Sequence, residues 1–426
     1  MLMNKYFNAT SKTGMMNVRL SIIYFATLSV SLGTAVSAMG RLALYLLALW
    51  TVLANVVAHQ PSIDWPDRPW FECWHVVTLM AVAFMAMSVL WTDADGIKGV
   101  SSWTRHARLI TIPLLWMLIR NRSEVRSVLR VFVIAQLFVM LSSWLLVAEV
   151  PVPWATAFNA KTTFAVFGSY LEQSIMGAIL VFILWYQRDW IFGKNGQWLA
   201  IAAAFVTFIL VVGYLAGRTG YLVFTVLASM SIMYALPRRW RWTAVVIPFV
   251  IAAIVFACFK TARERMVQVP LEILAYSQHG NTNSSSGERL IYWQTSLQSM
   301  AEKPIAGSGS GSWNNEFRRW SAGKSVSNFE TTDNPHHMFL LWAVEGGVIG
   351  LSLLCCVLLS LLMYSRSLIA PDAHSLQSVL AALVIAGLTT STIYGIGMGD
   401  YFCMLIGIVL CNGHDAVIRH PQKSTG

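Results

Sequence analysis

The chain of 426 residues is 56% hydrophobic and only 12% charged, with a mean hydropathy of +0.58. A water-soluble protein of this length carries about twice that charged share, so the soluble classes are excluded. The net charge of +10 would suit nucleic acid, but Lys and Arg fall in short clusters between apolar runs, where membrane topology puts them, and no nucleic-acid partner is expected.

In chain order, Lys5, Lys12 and Arg19 precede an apolar stretch from Leu20 whose end, Ala35-Val36-Ser37-Ala38, loosely resembles a signal-peptidase site. The length of that stretch, and the second one that follows at once, predict an uncleaved first helix. Roughly 18 apolar residues cross a ~30 Å hydrocarbon core. By that measure the pattern predicts an all-α integral membrane protein with about twelve spans, at 20–39, 42–58, 71–91, 108–119, 128–148, 172–187, 198–216, 220–236, 243–259, 337–364, 376–394 and 400–415. The fourth is short, as a tilted or partly re-entrant segment would be. All six cysteines lie in or beside these runs, without zinc-site or disulfide spacing, and read as packing residues.

Charge sets the orientation. With the N-terminus in the cytoplasm, sixteen Lys and Arg fall in cytoplasmic segments and six in the short loops opposite (Arg41, Lys98, Arg105, Arg108, Lys161 and Arg218), the long loop being set aside. Both termini are then cytoplasmic, and the chain divides into helices 1–9 (residues 1–259), an outward-facing loop (260–335), and helices 10–12 with a tail (336–426). A loop of that length within a compact protein is usually functional. Inside it, Leu290, Trp293, Leu297 and Met300 recur at helical spacing behind Ser284-Ser285-Ser286, which predicts a capped amphipathic helix on the bilayer or on the bundle. Lys303-Pro304 ends it, Gly307 to Ser312 is an irregular turn, and a second short helix carries Trp313, Phe317 and Trp320.

The candidate functional residues gather on the outward side. Arg218 interrupts a small-residue turn, Gly217-Arg218-Thr219-Gly220, between two apolar spans. It reads either as an arginine snorkelling to headgroups or as an anion clamp whose fork suits phosphate oxygens; the flanking glycines would let a bulky ligand approach. Arg289, Arg318, Arg319 and Lys324 add positive charge against the topological trend, which points to an anionic, outward-facing ligand such as a phosphorylated lipid. His336 and His337 stand at the entrance to the tenth span behind Pro335; each could be a general base, a helix-end histidine bonded to a carbonyl, or a metal ligand with Asp333 or His279, although adjacent helical residues diverge too far for both to bind one ion. Glu345, inside the apolar run eight and nine positions later, is a supporting candidate by its intramembrane position alone.

Taken together, these residues resemble a known pattern. Pro335-His336-His337-Met338-Phe339-Leu340, followed by Glu345-Gly346-Gly347-Val348-Ile349-Gly350, is similar to the His-Asn-x-Tyr-Leu…Glu-x-Gly-x-x-Gly signature of the O-antigen ligase and polymerase superfamily. Gly217-Arg218-Thr219-Gly220 resembles its arginine turn, and Arg289 with Pro304-Ile305-Ala306-Gly307-Ser308-Gly309 its loop-helix arginine and Pro-x-x-Gly-x-Gly. The resemblance covers about residues 200 to 360. Register sets His336 on the family histidine and His337 where asparagine is usual, which leaves the base open between them.

The resemblance implies a GT-C-like fold in the bacterial inner membrane and metal-independent, cofactor-free glycosyl transfer on the periplasmic side. Arg218 and Arg289 would neutralise the diphosphate of an undecaprenyl-diphosphate-linked O-antigen donor, and the histidine would activate a hydroxyl of lipid A-core for inverting attack. An O-antigen polymerase, with a second lipid-linked glycan as acceptor, and a protein-glycosylating transferase share that chemistry. A polyprenyl-glycan transporter is the rival of a different class, although no repeated halves of the kind transporters often show are found here.

Overall fold

The computed structural model describes residues 17–58, 72–279, 284–322 and 332–412; Lys324 lies outside them. Among the described residues every regular element is helical: α1 (17–29), α2 (Thr34–Ala58), α3 (Cys73–Met87), α4 (Gly96–His106), α5 (Thr111–Leu118), α6 (Arg122–Val147), α7 (Ala160–Thr163), α8 (Tyr170–Tyr186), α9 (Arg188–Ile191), α10 (Gln197–Gly213), α11 (Arg218–Ala235), α12 (Ile247–Cys258), α13 (Lys260–His279), α14 (Ser285–Glu302), α15 (Trp313–Ser321), α16 (Met338–Ser365), α17 (Ala370–Gly387) and α18 (Ile396–Asn412). Among the described residues five segments are long and apolar enough to cross a membrane: Thr34–Val56, Cys73–Trp91, Arg122–Val147, Lys194–Gly213 and Met338–Ser365; α8, α12 and α18 are shorter apolar helices. The stretch expected as one span at 20–39 is instead broken at 30–33, where Gly33 takes a φ of +105° that lets α1 hand over to α2.

α18 is the axis of the bundle. Every residue from Met398 to Asn412 is buried, against α2, α5, α6 and α17, as a helix apolar all round must be when it lies inside rather than at the lipid boundary. By contrast α2 exposes Leu42, Leu46, Leu49, Trp50 and Leu53, an outward apolar face suited to hydrocarbon. Between α17 and α18 the backbone leaves the helix, and Arg108 donates from Nη1 to the carbonyls of Ile393, Tyr394 and Gly395 at 3.1, 2.8 and 2.8 Å. Asp400 accepts from Arg41 and Ser37 (2.5 and 2.7 Å) and has Arg108 Nε at 3.4 Å. Arg41 and Arg108, counted from sequence as short-loop charges, thus satisfy groups that lipid would leave unpaired.

The long loop is mostly helix, and one backbone clasp holds it to the bundle. α16 is broken at Gly347 (φ +63°, ψ −158°), which frees carbonyls before the break and N–H groups after it. Residues 304–309 fill the gap on both sides. Ser308 and Gly309 donate to the carbonyls of Val344 and Glu345 (2.8 and 2.9 Å), and Val348 and Ile349 donate to those of Pro304 and Ile305 (2.7 and 3.2 Å). A Cβ on Gly307 would lie 2.6 Å from the Val344 oxygen and the Gly347 nitrogen, and one on Gly347 would collide with the Ile305 carbonyl.

α14 forms where Ser284 predicted its cap, with Ser284 Oγ accepting from Gly287 N–H at 3.1 Å. Its buried face is Gly287, Ile291, Tyr292, Thr295, Ser296 and Ser299 rather than the larger apolar stripe, and Leu297 is 59% exposed. Small hydroxyl residues let α14 lie close on α16. Ile291 and Tyr292 join Trp313, Phe317, Leu341, Val344 and Tyr394 in a satellite core beneath the loop.

Candidate functional site

One face of α14 assembles the site. Ser286, Arg289, Tyr292 and Trp293 recur at spacings of three and four, so they stack on one side of the helix. Each meets a different part of the candidate machinery.

At the first turn, Ser286 touches the group that holds Arg218. Arg218 opens α11 and donates to both oxygens of Glu272 on α13, at 2.8 and 3.0 Å, and to Gln268 at 3.2 Å. Glu272 also accepts from Ser286 N–H and Oγ, at 3.2 and 2.5 Å. The Arg218 hydrogen bonds, with those from Ser286, pull the Glu272 carboxyl down to about 2 against the opposing effect of burial. A guanidinium, a hydroxyl and a first-turn N–H therefore converge on one carboxylate, the donor set that an oxyanion requires. The glycines around Arg218 serve packing instead of ligand approach: a Cβ on Gly217 or Gly220 would collide with Ser174 Oγ on α8.

Arg289 lies one turn along α14. No hydrogen bond or ion pair engages its guanidinium among the described residues; burial first, and then the like charge of Arg218, hold its pKa below the usual guanidinium range. Two guanidinium groups thus lie in electrostatic reach of each other and of Glu272 and Glu288, outside the apolar spans, and among the described residues only Arg218 is held by a carboxylate.

At the next turn the two histidines separate. His336 takes a left-handed φ of +51°, its N–H donates to Asn334 Oδ1 at 3.0 Å, and its ring stacks on Tyr292 at 6.0 Å. A positive φ is uncommon outside glycine and marks a position whose surroundings fix it. Its imidazole has no hydrogen bond among the described residues. Although the residue is exposed, surrounding protein and then the Arg289 charge hold its pKa below the usual imidazole range, with Asp333 opposing. His337 is the N-cap of α16: its Nδ1 accepts from Leu340 N–H at 3.2 Å, and its ring meets Trp293 edge-on at 5.3 Å. The helix begins at Met338, three residues after Pro335, so neither histidine sits on its surface.

The remaining candidates are placed elsewhere. Glu345 is fully buried and accepts from Ser102 Oγ (3.1 Å to both oxygens) and Gly311 N–H (2.9 Å), with His106 Nε2 at 2.7 Å. It ties α4 and the glycine turn to α16 and bonds to neither His336 nor His337. Arg319 pairs with Glu302 and Glu316 within the loop. Arg318 lines a separate cleft with Lys98 and Arg105, where Arg105 pairs with Asp333 at 2.6 Å. Glu272, His106 and Asp333 are the partners that spacing does not reveal, because each pairing spans a long stretch of chain.

Among the described residues no group of three or more His, Cys, Asp or Glu side chains is arranged to hold a metal ion. Residues 203–355, which contain Arg218, Arg289, both histidines and Glu345, match the family model described as O-Antigen ligase. No curated protein matches the chain.

Proposed function

On the premise that the matched domain supports membership of the O-antigen ligase superfamily, and with it a ligase or polymerase type of function, we propose that this chain moves O-antigen from undecaprenyl diphosphate to lipid A-core. It would do so on the periplasmic side of the bacterial inner membrane, with about twelve spans and both termini in the cytoplasm. The observation that carries the reading is the gathering of Arg218, Arg289 and the imidazole of His336, unbonded among the described residues, along one face of α14.

In this reading His336 takes the proton of an acceptor hydroxyl. Its depressed pKa favours the neutral imidazole near pH 7, the form a general base requires. The hydroxyl oxygen bonds to the anomeric carbon from the face opposite the leaving group, so the configuration inverts. The bond from that carbon to the diphosphate oxygen breaks, and its electron pair leaves with undecaprenyl diphosphate. Arg218 and Arg289 stabilise the charge on that leaving group, as a metal would elsewhere. His337, committed through Nδ1 to Leu340 N–H, positions the turn that presents His336.

The test is a reconstitution of the purified chain in nanodiscs, with undecaprenyl-diphosphate-linked O-antigen, chelator, and lipid A-core either supplied or omitted. Glycan transferred to lipid A-core in chelator is the expected result. Longer lipid-linked glycan made irrespective of lipid A-core would identify a polymerase, and absence of any product would turn attention to transport.

A further inference from the structure

A second cationic cleft adjoins the histidine turn. It has a volume of about 230 Å³ and is lined by Lys98, Arg105, Asn314, Arg318, Asp333 and Tyr394, among others. Arg105 is committed, donating to Asp333 at 2.6 Å and lying over the Tyr394 ring at 4.5 Å. Lys98 and Arg318 are exposed and have no hydrogen bond or ion pair among the described residues. The lining carries three cations and one carboxylate, Asp333, with Glu345 buried behind Arg105, so the cleft is net positive, as a phosphate requires. Asn314, on the wall of the cleft, donates from Nδ2 to the Thr332 carbonyl at 2.7 Å.

The position of the cleft gives it a role. Asp333 lines it and is also one of the charges acting on the His336 imidazole, whereas Arg289 acts on that imidazole from α14. We propose that this cleft binds a phosphate group carried on a sugar of the acceptor glycolipid, so that a neighbouring hydroxyl is presented to His336. This rests on the transferase reading above and extends it to acceptor selection. Lys98 and Arg318 hold the phosphate, and the Arg105–Asp333 pair fixes the wall shared with the histidine turn.

The experiment uses the full chain in phosphatidylcholine nanodiscs, with lipid-linked O-antigen as donor and lipid A-core either intact or phosphatase-treated. For the wild type, removing the phosphates should raise the acceptor KM about tenfold, the scale of a charge-assisted contact. Lys98→Ala with Arg318→Ala should raise KM for the intact acceptor by a similar factor, lose nothing further on the treated acceptor, and leave donor KM unchanged. Lys98→Arg, which keeps the cation, should leave the acceptor KM close to the wild-type value. An unchanged acceptor KM, an equal loss on both acceptors, or a shift confined to donor KM would overturn the proposal. So would a KM effect that appears only when phosphatidylglycerol replaces phosphatidylcholine, which would assign the cleft to lipid headgroups, or competition by inorganic phosphate that ignores the acceptor's own phosphates. Should the wild type make no product, the transferase reading fails by itself. The cleft is then read by calorimetric titration with core oligosaccharide: weaker binding by the double variant and by the dephosphorylated ligand upholds it, and equal binding refutes it.

Discussion

Arg218 and Glu272 form a two-pronged ion pair at 2.8 and 3.0 Å, so an anion that reaches Arg218 must first displace a carboxylate. Glu272→Gln keeps the shape and removes the charge. The donor KM should then fall about fivefold, the factor equivalent to the ~1 kcal/mol of a partly exposed ion pair, while Arg218→Ala should raise it. A donor KM that is unchanged or higher in Glu272→Gln would show that Glu272 holds Arg218 in place without competing for it. The same pair has a pH signature. The Glu272 carboxyl is depressed to about 2, so its stabilising contribution is complete above the ordinary carboxylate range near 4.5 and is lost as pH falls from there through about 2. Thermal unfolding of wild type between those pH values should show a component that Glu272→Gln lacks.

The histidines should respond differently to truncation. His336→Ala should abolish transfer with little change in thermal midpoint, since the side chain makes no hydrogen bond among the described residues. His337→Ala removes a helix cap and should cost about 1 kcal/mol of stability while retaining measurable turnover. Turnover by His336→Ala beside a dead but stably folded His337→Ala would move the base by one position.

The acid limb of the pH–rate profile tests the charges around His336. Arg289 lowers the pKa of this histidine and Asp333 raises it, so Arg289→Gln should shift the acid limb of kcat/KM upward and Asp333→Asn should shift it downward. In the wild type activity should fall only below the ordinary imidazole value of about 6.5, as the base becomes protonated. Shifts of the same sign in both variants would mean that the limb belongs to another group.

The clasp should govern stability rather than chemistry. Removing the Glu345 carboxylate strands the Gly311 N–H, Ser102 and His106 in a buried setting, and Glu345→Ala should cost about 3–5 kcal/mol. Gly347→Ala sets a Cβ against the Ile305 carbonyl at a positive φ and should also lower the thermal midpoint. Full stability in both would remove the glycine turn as the support of the loop.

Much was decided by local sequence. Apolar periodicity and Ser284 marked the helix at α14 though not its buried face, and Arg218 and the His336–His337 pair stood out beside apolar spans, Arg289 only in their company. Those signals act over a few residues, so one chain suffices to read them. What the tertiary structure decided was pairing. Glu272 meets Arg218 across 54 residues and His106 meets Glu345 across 239, and no local pattern encodes such a distance. Tertiary context also settled the function of the glycines: Gly217 and Gly220 make room for Ser174, while Gly307 and Gly347 let two backbones exchange the hydrogen bonds that a broken helix leaves open. A side chain's identity limits what it can do; which atoms the fold sets against it determines which of those things it does.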